Sequence, residues 1–100
     1  MPGSIRRARR IDNNQVDVVA ALRGVGASVL HLHAIGKGAP DILVGFRGIN
    51  VLIEIKSAKG TMTPDESAFV SGWLGQVCVA YSPEMALVQV EQVARAQGKI

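Results

Sequence analysis

Two apolar runs separated by four residues constrain the fold of this chain more than any other feature. Residues 42–46 and 51–56 are rich in the β-branched and aliphatic side chains of strands, and residues 47–50, Arg-Gly-Ile-Asn, have the composition of a turn. Pairing the two runs about Gly48 and Ile49 predicts an antiparallel hairpin, whose side chains alternate between two faces.

This register divides the hairpin into an apolar face and a charged face. The facing pairs on the apolar side are Ile42 with Ile55, Val44 with Ile53, and Phe46 with Val51. On the other side, the same register sets Asp41 against Lys56 and Leu43 against Glu54. A slip of one residue would mix the two classes of side chain, so the pattern favours this register.

Helix and strand signals alternate along the rest of the chain. The first helix is predicted from a capping box, with Asp12 as N-cap and Gln15 as its N3 residue. In chain order we predict a helix over 13–24, a strand over 28–33, the hairpin, a helix from the Thr63–Glu66 capping box to Gly75, a strand over 77–80 and a helix from Ser82 to near Gly98. The order αβββαβα places the chain in the α/β class.

Composition excludes several classes of protein. The chain has 100 residues, of which 48% are hydrophobic, so we expect one folded domain rather than a disordered segment. No apolar run approaches the roughly 20 residues of a membrane-spanning helix. Residues 1–10 lack the apolar region of a secretory signal, and a single cysteine is typical of a reducing compartment. These features predict a cytoplasmic protein.

The net positive charge of the chain comes from its first ten residues. The formal net charge is +3, yet residues 11–100 hold seven basic and eight acidic residues, a net charge of −1. The excess comes from four arginines near the start, namely Arg6, Arg7, Arg9 and Arg10. We predict a basic N-terminal arm over 1–11 ahead of a domain over 12–100. The arm either contacts phosphates or is a solvated extension.

The charged face of the hairpin predicts a catalytic metal site. Two neighbouring carboxylates, Asp41 and Glu54, favour a shared hard cation such as Mg²⁺ or Mn²⁺. Lys56 lies two residues beyond Glu54, where it can orient a water or offset charge on a phosphorane. The structural alternative is a merely charged surface with a cross-strand pair of Asp41 and Lys56. Because Glu54 interrupts an otherwise apolar strand, the functional interpretation is favoured.

Three spaced motifs resemble those of the virus-type replication-repair nuclease (VRR-NUC) family, within the PD-(D/E)XK superfamily. They are Gly38-Ala39-Pro40-Asp41-Ile42-Leu43-Val44-Gly45, Glu54-Ile55-Lys56 and Met62-Thr63-Pro64-Asp65-Glu66. The likeness extends over about residues 12–90. It implies a restriction-endonuclease-like α/β core with a mixed central sheet flanked by helices. It also implies a Mg²⁺-dependent DNA endonuclease for which Mn²⁺ substitutes, active on branched DNA such as Holliday junctions or flaps.

The resemblance assigns roles to individual residues of the hairpin. Asp41 and Glu54 resemble the family's metal-binding acids, the carbonyl of Ile55 a further ligand, and Lys56 the catalytic lysine. Members of the family that stand alone are thought to act as homodimers, so the resemblance also implies a second copy of this chain as a partner. It implies action in a bacterial or phage-infected cell.

The helices supply secondary candidates. Many family members carry a Glu on the first helix that contacts metal-bound water, and the matching residue here is Asp17, with Gln15 as the alternative. The second-helix position that is often Gln in the family is Glu66 here, which we expect to serve the helix cap. Lys37 and Lys59 lie in glycine-bounded loops, either as phosphate contacts or as ordinary turn residues.

An aromatic pair and the single cysteine both have a structural interpretation. Phe69 and Trp73 stand one helical turn apart, a spacing that predicts core packing rather than a base-stacking platform. Cys78 lies within an apolar run and is predicted to be a buried, small apolar side chain.

Two alternatives to a DNA endonuclease remain open from the sequence. One is a non-catalytic DNA- or junction-binding protein on the same fold, which the intact set of Asp41, Glu54 and Lys56 disfavours. The other is an RNA endonuclease, which the sequence does not distinguish from the DNA enzyme.

Overall fold

The structure is a computed structural model and describes residues 13–100, with side chains from Asn14 onward. The predicted arm, its arginines Arg6, Arg7, Arg9 and Arg10, and the predicted N-cap Asp12 lie outside the described residues. In chain order the elements are α1 (Asn13–Gly24), β1 (Ser28–His31), β2 (Ile42–Phe46), β3 (Ile49–Ile55), α2 (Pro64–Gly72), β4 (Val77–Ala80) and α3 (Pro83–Ala96). No helix within this described part is long and apolar enough to cross a membrane.

The strands form one mixed sheet in the order β1-β2-β3-β4. The first three strands are antiparallel neighbours, and β4 joins β3 in parallel after the α2 crossover. Parallel neighbours need such a crossover because their connection must return to the same end of the sheet. The described chain is therefore an α/β fold with a mixed four-stranded sheet and three helices, which confirms the predicted class.

The β2–β3 hairpin forms, but its predicted register is wrong by two residues. Ile42 pairs with Ile53 rather than Ile55. The turn contains only Arg47 and Gly48, whose φ angles of 51° and 85° give the positive values that a tight hairpin turn needs. Because side chains alternate with period two, a shift of two residues keeps every apolar side chain on its predicted face. Alternation alone could not reveal the error.

The shift changes the partners on the other face of the hairpin. Leu43 pairs with Leu52, so its predicted pairing with Glu54 is wrong. The predicted pairing of Asp41 with Lys56 is wrong for the same reason, because the observed register, continued by one residue, sets Asp41 across from Glu54. The two carboxylates are therefore closer neighbours than the sequence predicts.

Several element ends also differ from the predictions, and β3 spans Ile49–Ile55 rather than 51–56. The strand predicted over 28–33 ends at His31, although the Leu32 N–H still donates to the Asp41 carbonyl at 2.8 Å. Helix α2 ends at Gly72 rather than near Gly75, because Trp73 leaves helical geometry with φ −75° and ψ 128°.

The core lies between one face of the sheet and helices α1 and α3. The fully buried side chains of this layer come from both helices and from the two central strands: Val18, Leu22, Ile42, Val44, Val51, Ile53 and Val90. Cys78 packs against the same cluster but is only partly buried, where a buried side chain was predicted, and burial raises the pKa of its thiol. Helix α2 contributes no buried residue. The opposite face of the sheet is thus left for Asp41, Glu54 and Lys56.

Candidate active site

Asp41 is fixed at the start of β2 by the neighbouring strand. Its Oδ2 atom accepts a hydrogen bond from the Ile55 N–H at 2.7 Å. In a continued antiparallel pairing, the Ile55 N–H would donate to a backbone carbonyl of the other strand. Here the Asp41 carboxylate accepts that hydrogen bond instead. This contact joins the first predicted motif to the second and holds the acid beside Glu54.

Pro40 has a specific consequence for the backbone of Ile55. The observed register, continued by two residues, sets the fully buried Pro40 across from Ile55. A proline has no N–H, so Pro40 cannot donate to the Ile55 carbonyl. In a strand, the N–H and C=O of one residue point toward the same neighbouring strand. The Ile55 carbonyl therefore lies on the same side as the Asp41 carboxylate, where it can serve as an oxygen ligand.

Glu54 is the most deeply buried charged residue among those described, with 3% of its surface exposed. Burial raises its pKa from an ordinary value of 4.5 to about 8, and the negative charges of Asp41 and Glu66 act in the same direction. Without a cation, this carboxyl is therefore mostly protonated at neutral pH. A buried acid beside a second acid is an arrangement that a divalent cation would stabilise in its ionised form.

Lys56 lies between two carboxylates. Its Nζ atom is 2.6 Å from Glu66 Oε1 and 3.5 Å from Glu54 Oε2. Burial alone would lower the pKa of Lys56, but the hydrogen bond to Glu66 and the charges of both acids outweigh burial and raise that pKa. The side chain is consequently a fixed ammonium group directed into the cluster.

Glu66 does more than the helix capping expected of it. It completes the predicted capping box: Thr63 N–H donates to Glu66 Oε1 at 2.9 Å, and Glu66 N–H donates to Thr63 Oγ1 at 3.1 Å. The same Oε1 also accepts from Lys56. Burial alone would raise the pKa of Glu66, but these hydrogen bonds, that from Lys56 first, outweigh burial and lower that pKa. One carboxylate thus links the start of α2 to the end of β3.

Asn14 is a site residue that the sequence interpretation missed. Its Nδ2 atom donates to the Lys56 carbonyl at 2.6 Å and to the Tyr81 carbonyl at 3.4 Å. The side chain thereby ties the first turn of α1 to the backbone just beyond β3 and β4. The only sequence signal was a polar side chain beside a predicted helix cap, and that signal does not identify a distant partner.

The other α1 candidates, Asp17 and Gln15, differ in burial. Asp17 is exposed, and its predicted contact with metal-bound water stays a prediction. Gln15 is buried, with its Nε2 atom 3.3 Å from His31 Nδ1 on the edge strand β1.

The loop lysines Lys37 and Lys59 are both exposed. Lys37 has a positive φ of 58° in the loop that leads to Asp41, and Lys59 lies in the loop after β3. The neighbouring Gly38 packs so closely on α2 that an added Cβ would lie 2.5 Å from the Asp65 carbonyl oxygen. Phosphate contacts by Lys37 and Lys59 stay predictions.

The predicted core packing of the α2 aromatic pair is wrong for Trp73. The rings of Phe69 and Trp73 stack with centroids 5.1 Å apart and planes inclined by 14°. However, 47% of the Trp73 surface is exposed, because α2 packs no side chain into the core. Spacing along a helix identified neighbours correctly but could not show whether another layer covers them.

The donor set fits a hard divalent cation. Within residues 13–100, no three His, Cys, Asp or Glu side chains form a ready-made metal cluster. The available donors are instead the carboxylates of Asp41 and Glu54 and the carbonyl of Ile55. All are oxygen atoms, which Mg²⁺ and Mn²⁺ prefer, and Mg²⁺ commonly takes only a few ligands from protein and keeps several waters.

Comparison with known proteins found no matching family model, no matching curated protein and no matching solved structure. The likeness to VRR-NUC domains therefore stays a prediction that rests on the motifs of this sequence.

Proposed function

We propose that this chain is a metal-dependent phosphodiesterase that cuts DNA, built on a PD-(D/E)XK core of the VRR-NUC type. The observation that carries the proposal is the convergence of Asp41, Glu54 and Lys56 at one end of the β2–β3 hairpin. Keeping two acids and a lysine together at a partly buried site costs stability, and such arrangements cluster at functional sites.

The proposed metal ligands are Asp41, Glu54 and the carbonyl of Ile55. Bound there, Mg²⁺ or Mn²⁺ would supply Lewis acidity and lower the pKa of a coordinated water. Glu54 would give up its proton on binding, because a cation would stabilise the ionised carboxylate that burial and the charges of Asp41 and Glu66 disfavour. Asp41 is oriented by the hydrogen bond from the Ile55 N–H.

Lys56 would act on the phosphate and the attacking water. Its pairing with Glu54 and Glu66 keeps the side chain cationic and fixes its direction. An ammonium group in this position can orient the water and offset the negative charge that develops on the phosphorane. Glu66 is a positioning residue in this scheme, because it touches Lys56 rather than the reacting atoms.

The proposed substrate and partner rest on the resemblance of the sequence motifs to VRR-NUC domains. Branched DNA, such as junctions and flaps, is the substrate class that the motif resemblance implies, and a homodimer is the assembly that would suit such two-fold targets. Exposed Lys37 and Lys59, in the loops before Asp41 and after β3, are proposed to contact backbone phosphates rather than base edges.

The proposal is tested by cutting labelled substrates with the purified full chain. The panel contains a four-way junction, a flap, a linear duplex and an RNA duplex of the same sequence, each with Mg²⁺, with Mn²⁺ and with EDTA. Metal-dependent cutting of DNA is expected. Binding without cutting of any substrate would support the non-catalytic alternative instead, and selective cutting of RNA would support the RNA endonuclease; either result overturns the proposal.

Substitutions locate the activity at the proposed ligands. Asp41→Asn and Glu54→Gln keep the size of each side chain but remove the charge that a cation needs. Glu91→Gln, on the exposed side of α3, makes the same chemical change away from the site and is the matched control. The control should cut at the wild-type rate while the two ligand variants lose cutting.

A further inference from the structure

An apolar groove lies on the sheet face that carries the candidate active site. It encloses about 380 Å³, and its lining residues are Leu43, Asn50, Leu52, Trp73, Gly75 and Gln76, none of them charged. Leu52 and Glu54 are alternate residues of one strand, so their side chains lie on the same face about 7 Å apart along it. The groove therefore lies next to Glu54 on the same face of the sheet.

Helix α2 makes a second connection between the groove and the cluster. Glu66, Phe69 and Trp73 follow one another at spacings of three and four residues, which places them along one side of the helix. Glu66 contacts Lys56, and Trp73 lines the groove. At 1.5 Å per residue, the two ends of this row are about 10 Å apart, or about three stacked nucleotides at 3.4 Å each.

Trp73 provides a flat aromatic surface held in one orientation. Phe69 stacks on it, yet nearly half of its surface stays exposed. Gly75 allows this placement, since a Cβ there would approach the Trp73 Nε1 atom to 2.9 Å. An exposed, supported indole is the kind of side chain on which unpaired bases stack.

The groove also has polar groups at its edge. Gln76 Nε2 donates to the Asn50 carbonyl at 3.3 Å, which holds the Gln76 side chain across the hairpin end. The amide groups of Asn50 and Gln76 can donate to and accept from the edge of a base, whose faces are apolar. A phosphate would find no cation among the lining residues.

We propose that this groove binds an unpaired nucleobase of the strand that is cut, stacked on Trp73. The subsite rests on the proposed phosphodiesterase function and deepens it. It directs the enzyme toward DNA whose bases are unpaired within a few nucleotides of the cut, because a base within a duplex is not free to enter. A second copy of the chain covering the groove is the competing occupant.

Trp73 is the only tryptophan of the chain, so intrinsic tryptophan fluorescence reports on the groove alone. The full chain in EDTA is titrated with a dye-labelled single-stranded oligonucleotide and with the matching duplex, while fluorescence and the anisotropy of the label are recorded. Single-stranded DNA is expected to change the tryptophan emission more strongly than the duplex does. Trp73→Ala should weaken single-strand binding by about 5- to 100-fold, and Trp73→Phe should restore most of it.

Leu74→Ala is the matched control, because Leu74 is a fully exposed apolar neighbour that does not line the groove. It should bind like the wild type. Equal single-strand affinity of wild type and Trp73→Ala, without a change in emission, would overturn the subsite even if the chain cuts DNA. If the tryptophan emission changes when the protein concentration is raised without DNA, and DNA adds no further change, the groove is covered by a second copy of the chain. That result would also overturn the subsite. Failure of the proposed function is read separately, from the absence of metal-dependent cutting across the substrate panel.

Discussion

Lys56 and Glu66 form an ion pair with 2.6 Å between Nζ and Oε1, although they belong to different elements. The same Glu66 oxygen accepts the Thr63 N–H that caps α2. Glu66, which completes the capping box of α2, is thus also the residue that holds the candidate catalytic lysine. Helix α2 buries no side chain in the core. The ion pair of Lys56 and Glu66 therefore connects the start of α2 to the end of β3.

Replacing Glu66 should separate helix capping from lysine positioning. Glu66→Ala removes one of the two capping-box hydrogen bonds and the partner of Lys56, and we expect unfolding to be easier by about 1 kcal/mol. We also expect kcat for DNA cutting to fall by about tenfold or more, with a smaller change in KM. Glu66→Gln keeps a hydrogen-bonding group for the cap and for Lys56, so its kcat should lie between those of the wild type and Glu66→Ala. Urea unfolding and steady-state kinetics measure the two effects.

Thr63→Ala is the control for this prediction. It removes the cap hydrogen bond to Glu66 N–H but leaves the pair of Lys56 and Glu66, and should cost about 1 kcal/mol of stability. Its kcat should stay close to that of the wild type. If Thr63→Ala lowers kcat as much as Glu66→Ala does, the effect comes from helix stability and Glu66 does not position Lys56.

The buried Glu54 should make the metal-free protein less stable as the pH rises. Its pKa is raised by burial, and by Asp41 and Glu66, from 4.5 to about 8. The stability linked to its proton is therefore complete below pH 4.5 and is lost as the pH rises through 8, by an amount on the order of 5 kcal/mol. Melting curves in EDTA at several pH values measure this loss.

Glu54→Gln isolates the contribution of this one carboxyl. The variant should melt with little dependence on pH over the range in which the wild type loses stability. Mg²⁺ should raise the melting temperature of the wild type more at pH 8 than at pH 5, because the cation competes with the proton. Parallel pH curves for wild type and Glu54→Gln in EDTA would disprove the assignment.

Asn14 should stabilise the site through its two carbonyl partners, Lys56 and Tyr81. Asn14→Ala removes both hydrogen bonds, and we expect a loss of about 1–2 kcal/mol in urea unfolding. Asn14→Asp should cost more, since an ionised carboxylate cannot donate and faces carbonyl oxygens. Asp17→Ala, an exposed change on the same helix, should stay within about 0.5 kcal/mol of the wild type. Equal effects of the Ala and Asp changes at Asn14 would argue against the donor role.

The turn that fixes the hairpin register should be sensitive to a side chain at Gly48. Its φ of 85° is strained for an L residue, so Gly48→Ala should destabilise the protein by about 1–2 kcal/mol. An added Cβ would meet only ordinary contacts with Lys99, so the cost is one of backbone conformation. Gly24→Ala is the control, because Gly24 has open space and no positive φ. Thermal melts that rank the two variants alike would contradict this account of the turn.

The hairpin marks how far sequence alone could predict the fold. Alternation identified the apolar and charged faces correctly, because burial acts on every second residue. It could not distinguish registers that differ by two residues. That choice was made by the turn, in which Arg47 adopts a positive φ that its residue type does not favour.

The site was predictable where it lies within one hairpin and unpredictable where it depends on packing between elements. The proximity of Asp41 and Glu54 followed from two neighbouring strands. The contacts of Asn14 and Glu66 did not, because they join residues 42 and 10 positions apart through the placement of whole helices. The exposure of Trp73 likewise depends on α2 lying outside the core, which its own sequence does not determine.

The rate at which Lys56→Ala cuts labelled DNA in Mg²⁺ tests the central claim most directly. Lys99→Ala, at an exposed position near the end of the chain, is the matched control, and melting curves on the same samples verify that both variants fold. We expect wild type and Lys99→Ala to cut at equal rates and Lys56→Ala to be slower by at least about 100-fold. Cutting by folded Lys56→Ala at the wild-type rate would contradict the assignment of Asp41, Glu54 and Lys56 as one hydrolytic site.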